Sequence, residues 1–369
     1  QLWRIGLRQI QNDRYKMIDI NQILSEARNC RASDIHLSVG AVPKFRIHGE
    51  LKDSNFHKLS SAETLETLVN FMTHEQRDRF EAEGEIELSV SIRDFGRLRV
   101  NAYKQRGSIT IALRLVDKEI PDTAQFSIPP AVVRLTEEKK GLIIMTGPSG
   151  SGKSSMLAAM IDRINSSRAC NIITLEDPIE FLHKNSMSMI NQREIGLDVK
   201  DYRTALKSAL RADPDVLVVN RISGAEEASL VLTAAESGRL VFAAMSTNSV
   251  PETISSIVDI FPQQERTMAR FRLADNLKAI VTRQLIHTSQ GMSVPAYELL
   301  FMNGKMRELV RLDRSVELYE AIKAGADKDM VTMDQSLTEL VQSGTISAEE
   351  AVEAALDPEA LARDLGVNL

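Results

Sequence analysis

The octapeptide Gly147-Pro148-Ser149-Gly150-Ser151-Gly152-Lys153-Ser154 constrains this chain more than any other stretch. It matches the spacing G-x-x-x-x-G-K-[ST] at every fixed position. Leu142-Ile143-Ile144-Met145 precede it and read as a buried parallel strand. Leu157, Met160, Ile161 and Ile164 follow it at helical spacing. A strand, a glycine-rich turn and a helix in that order aim backbone N–H groups and the positive helix end at one anion. In such a loop Lys153 reaches the β- and γ-phosphates of a nucleotide, and the Ser154 hydroxyl ligates Mg²⁺. A turn between strand and helix needs the glycines but not the Lys153-Ser154 pair, so the pattern predicts nucleotide binding.

The chain has 369 residues, enough for two or three domains. Apolar residues make up 43%, so a substantial core is available, and 26% charged residues is ordinary for a globular protein. A net charge of −6 and only 5% aromatics leave little for phosphate-backbone attraction or base stacking, so nucleic acid is not the expected partner. Cys30 and Cys170 lie far apart and imply no disulfide framework, which points to a reduced, cytosolic compartment. No apolar run approaches 18 residues, so no transmembrane helix is expected. Gln1-Leu2-Trp3-Arg4 lacks the apolar core of a signal peptide.

Hydrophobic period divides the chain. Residues 1–16 form a polar N-terminal extension with sparse apolar points. Residues 17–116 read as a small α+β domain. It starts with a helix from Met17 to Cys30, with Ile18, Ile20, Ile23, Leu24 and Ala27 inward. Short strands are expected at Ile35–Leu37 and Lys44–His48, and Ser60 with Glu63 predicts a capping box. Three alternating runs follow, around Ile86–Ile92, Leu98–Ala102 and Ile109–Leu115, as in an antiparallel meander with one covered face. Residues 117–130, with three prolines, read as a linker. From 131 to 300, strands at 142–146, 171–175, 215–219 and 240–245 alternate with helices near 154–166, 201–211, 225–237 and 252–260. That alternation predicts a mainly parallel sheet covered on both faces. Residues 301–369 read as helical only, with a second capping box at Ser347 and Glu350.

A phosphate loop takes its metal and water partners from the end of a neighbouring strand. Glu176 and Asp177 follow the apolar run Ile172–Leu175, at the edge where such sheets bind ligands. The next candidate strand, Asp215–Val219, ends instead in Asn220-Arg221, the wrong charge for a general base or for Mg²⁺.

Gly141 to Ile161, the run Ile173-Thr174-Leu175-Glu176-Asp177-Pro178-Ile179-Glu180 and Asn191-Gln192-Arg193-Glu194 together resemble the secretion-ATPase superfamily. Ala32–Leu37, Gly96–Ala102, Leu206–Asp215 and Leu232–Gly238 match its PilT/PilU branch, the retraction motors of type IV pili. The tail Val331–Leu337 and the stretch Asn276–Ile280 look closer to PilU. The resemblance spans roughly residues 17–355 and is specific in its combination of motifs. It implies an N-terminal PAS-like α+β domain, a RecA-like domain binding ATP with Mg²⁺ and a helical C-terminal extension. It also implies a homo- or hetero-hexameric ring with nucleotide between subunits. Further implied partners are an active PilT-type paralogue and an inner-membrane pilus platform protein, with no nucleic acid. The implied location is cytoplasmic, peripheral at the inner membrane. Carried over residue by residue, Gly147–Ser154 bind phosphate, Ser154 and Glu176 hold the metal, and Glu176 and Asp177 form the acidic box. Arg97, Arg99 and Arg114 fall where the family places arginines that reach the phosphates.

The departures from the family concern catalysis. Asn220-Arg221 stand where a Gly-Glu pair is expected, and that glutamate is the water-activating base. Ser223 replaces an arginine, Arg239 and Ser246 replace two histidines, and Ser149 replaces a threonine. The family's Ala-Ile-Arg segment is hard to find around Lys305–Leu309. Binding residues are kept and water-activating ones are lost, which predicts weak or absent hydrolysis. Open alternatives are an active ATPase using Glu176, Asp177, Glu180 or Glu226 as a substitute base, a structural ring component or inhibitor, and, on fold alone, a nucleic-acid motor.

Overall fold

In the computed structural model, residues 18–47, 49–92, 95–116, 120–289, 291–325 and 329–367 are described. The extension at 1–16 lies outside them. The chain divides into two units, Gln1–Lys118 and Glu119–Leu369.

In the first unit, helix α1 (Ile20–Asn29) starts at Asp19, whose carboxylate accepts the Asn21 N–H, and buries Ile23, Leu24 and Ala27 along one stripe. Strands β1 (Asp34–Leu37), β2 (Lys44–Ile47) and β3 (Glu50–Asp53) follow. Helix α2 (Ser61–Phe71) carries the Ser60–Glu63 capping box expected from its sequence. Helix α3 (His74–Glu83) stops at Gly84, whose φ of +83° suits glycine. Strands β4 (Glu85–Ile92), β5 (Gly96–Gln105) and β6 (Ser108–Leu115) form the expected meander. The sheet is wider than the meander. β1 pairs with β6, Ile35 opposite Leu113, and the order becomes β3-β2-β1-β6-β5-β4. Leu98, Val100 and Ala102 point into the apolar core with Ile35, Ile111 and Leu113. Alternate residues of β5, Arg97 and Arg99 among them, therefore occupy the other face. Polar β3 was not visible in the sequence, because an exposed edge strand has no apolar alternation to read.

The second unit opens with helix α4 (Pro130–Arg134) and strand β7 (Gly141–Thr146). Helix α5 (Lys153–Ser167), β8 (Asn171–Glu176), β9 (Met189–Glu194), α6 (Tyr202–Ala209) and β10 (Val216–Val219) come next. Then follow α7 (Ala225–Glu236), β11 (Leu240–Ala244), α8 (Val250–Asp259), α9 (Arg266–Asn276), β12 (Leu277–His287) and β13 (Ser293–Phe301). The seven-stranded sheet runs β13-β12-β7-β11-β10-β8-β9, parallel throughout except for β13. Every residue of β7, β10 and β11 is buried, as continuous apolar runs in a parallel sheet must be. One core lies on each face. Leu142 and Ile144 pack toward α6, α7, α8 and α9, whereas Ile143 and Met145 pack toward α5. Phe242 sits in the second of these cores, fully buried. Phe242→Ala is expected to cost about 3–5 kcal/mol by loss of apolar burial and a residual cavity, read as a lowered urea midpoint at unchanged m-value.

The expected strands form within about two residues of their predicted limits, but β9, β12 and β13 were not anticipated. β9 is a half-exposed edge, and β12 carries Lys278, Arg283 and Gln284 among its apolar residues. Beyond Phe301 the chain is helical as expected: α10 (Gly304–Arg311), α11 (Ser315–Lys323), α12 (Met333–Gln342), α13 (Ala348–Ala354) and α14 (Pro358–Leu365). Ser347 and Glu350 form the second capping box. α12–α14 close a small core around Ile286, Ala296, Met333, Leu337 and Leu361. Within the stretch read as a linker, residues 122–128 form hydrogen-bonded turns, and Ile128 enters the core.

A buried carboxyl lies between β13 and the helices. Glu298 is fully buried, and its Oε2 accepts the Val250 N–H at 3.0 Å. Burial pushes its pKa up to about 7, with Asp334 adding to the rise. The folded state therefore holds this proton more tightly than the unfolded chain does. The group costs nothing below about pH 4.5, and stability falls as pH rises from there through 7. Glu298→Gln keeps the acceptor and removes the charge. It should leave stability unchanged near pH 4.5 and raise it by about 3 kcal/mol at pH 8, measured by urea unfolding at both pH values.

Candidate nucleotide site

β7 ends at Thr146, and the backbone turns through Gly147–Gly152 into α5. Gly147, Gly150 and Gly152 have φ of +141°, +81° and +82°. A methyl at Gly147 would collide with the Arg283 carbonyl, and one at Gly152 with the Arg283 guanidinium and the Phe126 ring. The glycines at 147 and 152 are thus required by both dihedral and space. Lys153 folds back over the loop, and its Nζ donates to the carbonyls of Gly147 at 2.6 Å and Pro148 at 2.7 Å. Burial lowers its pKa, opposed by the nearby Glu180 carboxylate.

The candidate acidic partners come from β8 and the turn after it. β8 follows β7 in the chain but, contrary to the expected neighbouring strand, is not beside it in the sheet, because β11 and β10 lie between them. Glu176 is buried, with Thr174 Oγ1 donating at 2.6 Å and Gln192 Nε2 at 2.9 Å. Burial raises its pKa against those two hydrogen bonds. Ser154 Oγ donates to Glu180 Oε1 at 3.0 Å. Ser154, Glu176, Glu180, His183 and Asn220 line one notch beside α5. A serine hydroxyl and carboxylate oxygens are the donor set that suits a hard cation, so the residues fit Mg²⁺. Asp177, on the exposed rim, raises the pKa of the Tyr202 phenol together with Glu176 and Glu227, behind the larger effect of burial.

β10 ends at Val219, so Asn220 and Arg221 stand at the sheet's carboxyl edge. Asn220 donates its N–H to the Leu175 carbonyl and lines the notch, whereas Arg221 is exposed and close enough to act on Tyr202. Of the substitute carboxylates, Glu176 and Glu180 are in the notch. Glu226 is not: it pairs with Lys207 at 2.6 Å and Arg203 at 2.8 Å on the exposed start of α7. Its neighbour Glu227, overlooked in the sequence, accepts the Ser223 N–H at 2.7 Å and faces the Tyr202 hydroxyl electrostatically.

Arg239 caps the α7–β11 turn, donating to Ser237 Oγ and to the Leu210 carbonyl. Ser246 lies exposed in the loop after β11. A threonine relay unseen in the sequence ties that loop to the base of the phosphate loop. Thr146 Oγ1 and Thr247 Oγ1 are 2.7 Å apart, as are Thr247 Oγ1 and Thr253 Oγ1. Arg97, Arg99 and Arg114 stand together on the first unit's sheet. Arg99 lies directly opposite Arg114. Arg114 pairs with Asp34 at 2.8 Å, and Arg99 pairs with Glu87. Arg97, two residues before Arg99, shares its face and is nearly buried.

A parallel sheet with a phosphate loop after β7 and an acidic turn after β8, at the same carboxyl edge, defines a P-loop nucleotide-binding protein. The chain belongs to the family of Type II/IV secretion system proteins, which it matches over residues 9–292, and within it to the PilT/PilU branch. It is 36% identical to the type IV pilus retraction ATPase PilT of Pseudomonas aeruginosa, across 93% of this chain and 99% of that protein. It is 33% identical to the type IV pilus ATPase PilU of the same organism, across 87% and 84% of the two chains. The crystal structure of the pilus retraction motor PilT with bound ADP superimposes with a TM-score of 0.88 at 40% identity, covering 94% of this chain and 99% of that one. Among the described residues no helix is long and apolar enough to cross a membrane.

Proposed function

We propose that this chain is an ATP-binding subunit of a type IV pilus retraction motor, with weak or absent hydrolysis of its own. It works in a hexameric ring and depends on a catalytically complete PilT-type paralogue. The ring acts at the cytoplasmic face of the inner membrane, against the pilus platform protein.

One observation carries this reading: the end of β10 presents Asn220 and Arg221 beside an otherwise complete phosphate loop. Lys153 has its ammonium over the loop, ready to exchange two carbonyls for phosphate oxygens. Ser154 with Glu176 or Glu180 would hold Mg²⁺, which neutralises charge on the phosphates when bound. Water activation needs a carboxylate free to take a proton. Glu176 already accepts two hydrogen bonds and is held toward its neutral form by burial. Arg221 attracts a γ-phosphate but takes no proton, so it favours the ATP-bound state over its products. On the family's arrangement, Arg97, Arg99 and Arg114 would reach the phosphates bound to a neighbouring subunit.

Steady-state ATP turnover tests this, with the chain alone and mixed with a complete paralogue from the same cell. Turnover near zero alone, with raised motor output in the mixture, is the expected result. Ordinary motor turnover by the chain alone, lost in Lys153→Ala, would overturn the pseudoenzyme reading. The contact of Ser154 with Glu180 favours a second reading, an active enzyme with Glu180 as base. In that case Glu180→Gln removes turnover and leaves ATP affinity in place.

A further inference from the structure

Arg283 lies 3% exposed on β12, one residue past the Thr282–Thr146 pairing that leads into the phosphate loop. Its Nη1 donates to the Ser151 carbonyl, inside the loop. Its Nε donates to Tyr297 Oη at 3.2 Å. Its guanidinium lies over the Phe126 ring, 4.1 Å from the centroid. Among the described residues no carboxylate pairs with it. A buried guanidinium without a counter-charge is costly unless carbonyls, hydroxyls and aromatic faces hold it, and here one carbonyl, one hydroxyl and two rings, Phe126 and Tyr297, do.

The same cluster reaches the segment before α4. Tyr297 Oη donates to the Ser127 carbonyl at 3.1 Å. Phe126 N donates to Asp122 O, Ser127 N to Ala124 O and Ile128 N to Thr123 O, so residues 122–128 form a pinned turn. Ser127 takes a left-handed φ of +53°, and Ile128 anchors the turn in the core. Residues 122–128 and the phosphate loop are therefore both bound to one side chain.

We infer that Arg283 is a positioning residue for phosphate binding, through which the turn at 122–128 sets the shape of the phosphate loop. The inference rests on the nucleotide reading of Gly147–Ser154. Arg283 acts in two ways. Its hydrogen bond orients the Ser151 peptide, which helps fix where the following N–H groups point. Its uncompensated positive charge lies behind the loop and favours an anion in front of it. A shift of residues 122–128 that lifts Phe126 or Ser127 away releases the guanidinium and slackens the loop. Affinity for nucleotide and the position of this turn are then coupled in both directions.

The test uses the full chain and two readouts: titration with a fluorescent ATP analogue and Mg²⁺, and amide hydrogen exchange of residues 149–153 without nucleotide. Arg283→Gln is expected to weaken binding about tenfold, the size of one charge-assisted hydrogen bond, and to speed exchange in the loop. Arg283→Lys should recover part of the affinity, because it keeps the charge and one donor. Phe126→Leu, which leaves Arg283 in place, should weaken binding about threefold and speed the same amides, and it carries the test if Arg283→Gln does not fold. A merely structural arginine lowers thermal stability and leaves both readouts at parental values; that result in a folded Arg283→Gln or Phe126→Leu chain overturns the inference. Absence of ATP binding by the parent overturns the nucleotide reading and this inference with it. Intact parental binding, lost in Lys153→Ala but unchanged in Arg283→Gln, overturns this inference alone.

Discussion

Lys153→Ala is expected to abolish the stabilisation of this chain by Mg²⁺-ATP. A ligand that binds only the folded state raises stability by about 2.7 kcal/mol at a hundredfold excess over Kd. The parent should show that rise as a higher thermal midpoint in the presence of ATP. The variant should show almost none, because the loop loses the ammonium that faces the phosphates. Without nucleotide, the hydrogen-bond partners of Lys153 Nζ among the described residues are two carbonyls of its own loop, Gly147 and Pro148. Its removal should therefore leave the nucleotide-free midpoint within a few degrees of the parent's. Equal ATP-dependent shifts in parent and variant would sink the assignment of the loop.

The double substitution Asn220→Gly with Arg221→Glu should raise ATP turnover by about 10²–10⁴-fold, the usual worth of a positioned general base. Arg221 is exposed just past the end of β10, next to Asn220, which lines the notch, so a glutamate there faces water. Replacing the exposed Arg221 should change stability by less than about 0.5 kcal/mol and Asn220→Gly by about 1 kcal/mol, so activity can be compared between folded chains. Arg221→Ala is the control. It removes the cation without supplying a base and should change turnover little. If the double variant remains as slow as the parent, the lost base is not what limits hydrolysis, and the substitutions at Arg239 and Ser246 become the place to look.

Much of the architecture was legible because burial on both faces of a parallel sheet leaves continuous apolar runs. Leu142–Met145, Ile172–Leu175 and Val216–Val219 were readable for that reason. The capping boxes at Ser60 and Ser347 were readable because two side chains three residues apart satisfy each other's backbone. β3, β9 and β12 were not, since an edge position or interspersed Lys278, Arg283 and Gln284 break the apolar period. Of the site, the loop and the acidic turn were visible as contiguous motifs. The pairing of Ser154 with Glu180, 26 positions away, was not.

The sequence by itself determined the phosphate-loop motif at Gly147–Ser154, that Glu176 and Asp177 follow the next strand in the chain, and that Asn220 and Arg221, not an acid, follow the one after that. Each of these rests on residues adjacent in the chain, whose local geometry is fixed by glycine dihedrals, strand ends and helix starts. Only the tertiary structure decided what surrounds the loop. It excluded Glu226 from the notch by pairing it with Lys207 and Arg203, joined Thr146 to Thr247, and put Arg283 against Ser151 and Phe126. Ser151 and Arg283 are 132 positions apart, and Thr146 and Thr247 are 101 apart. Such contacts follow from strand order in the sheet, which no short window of sequence encodes.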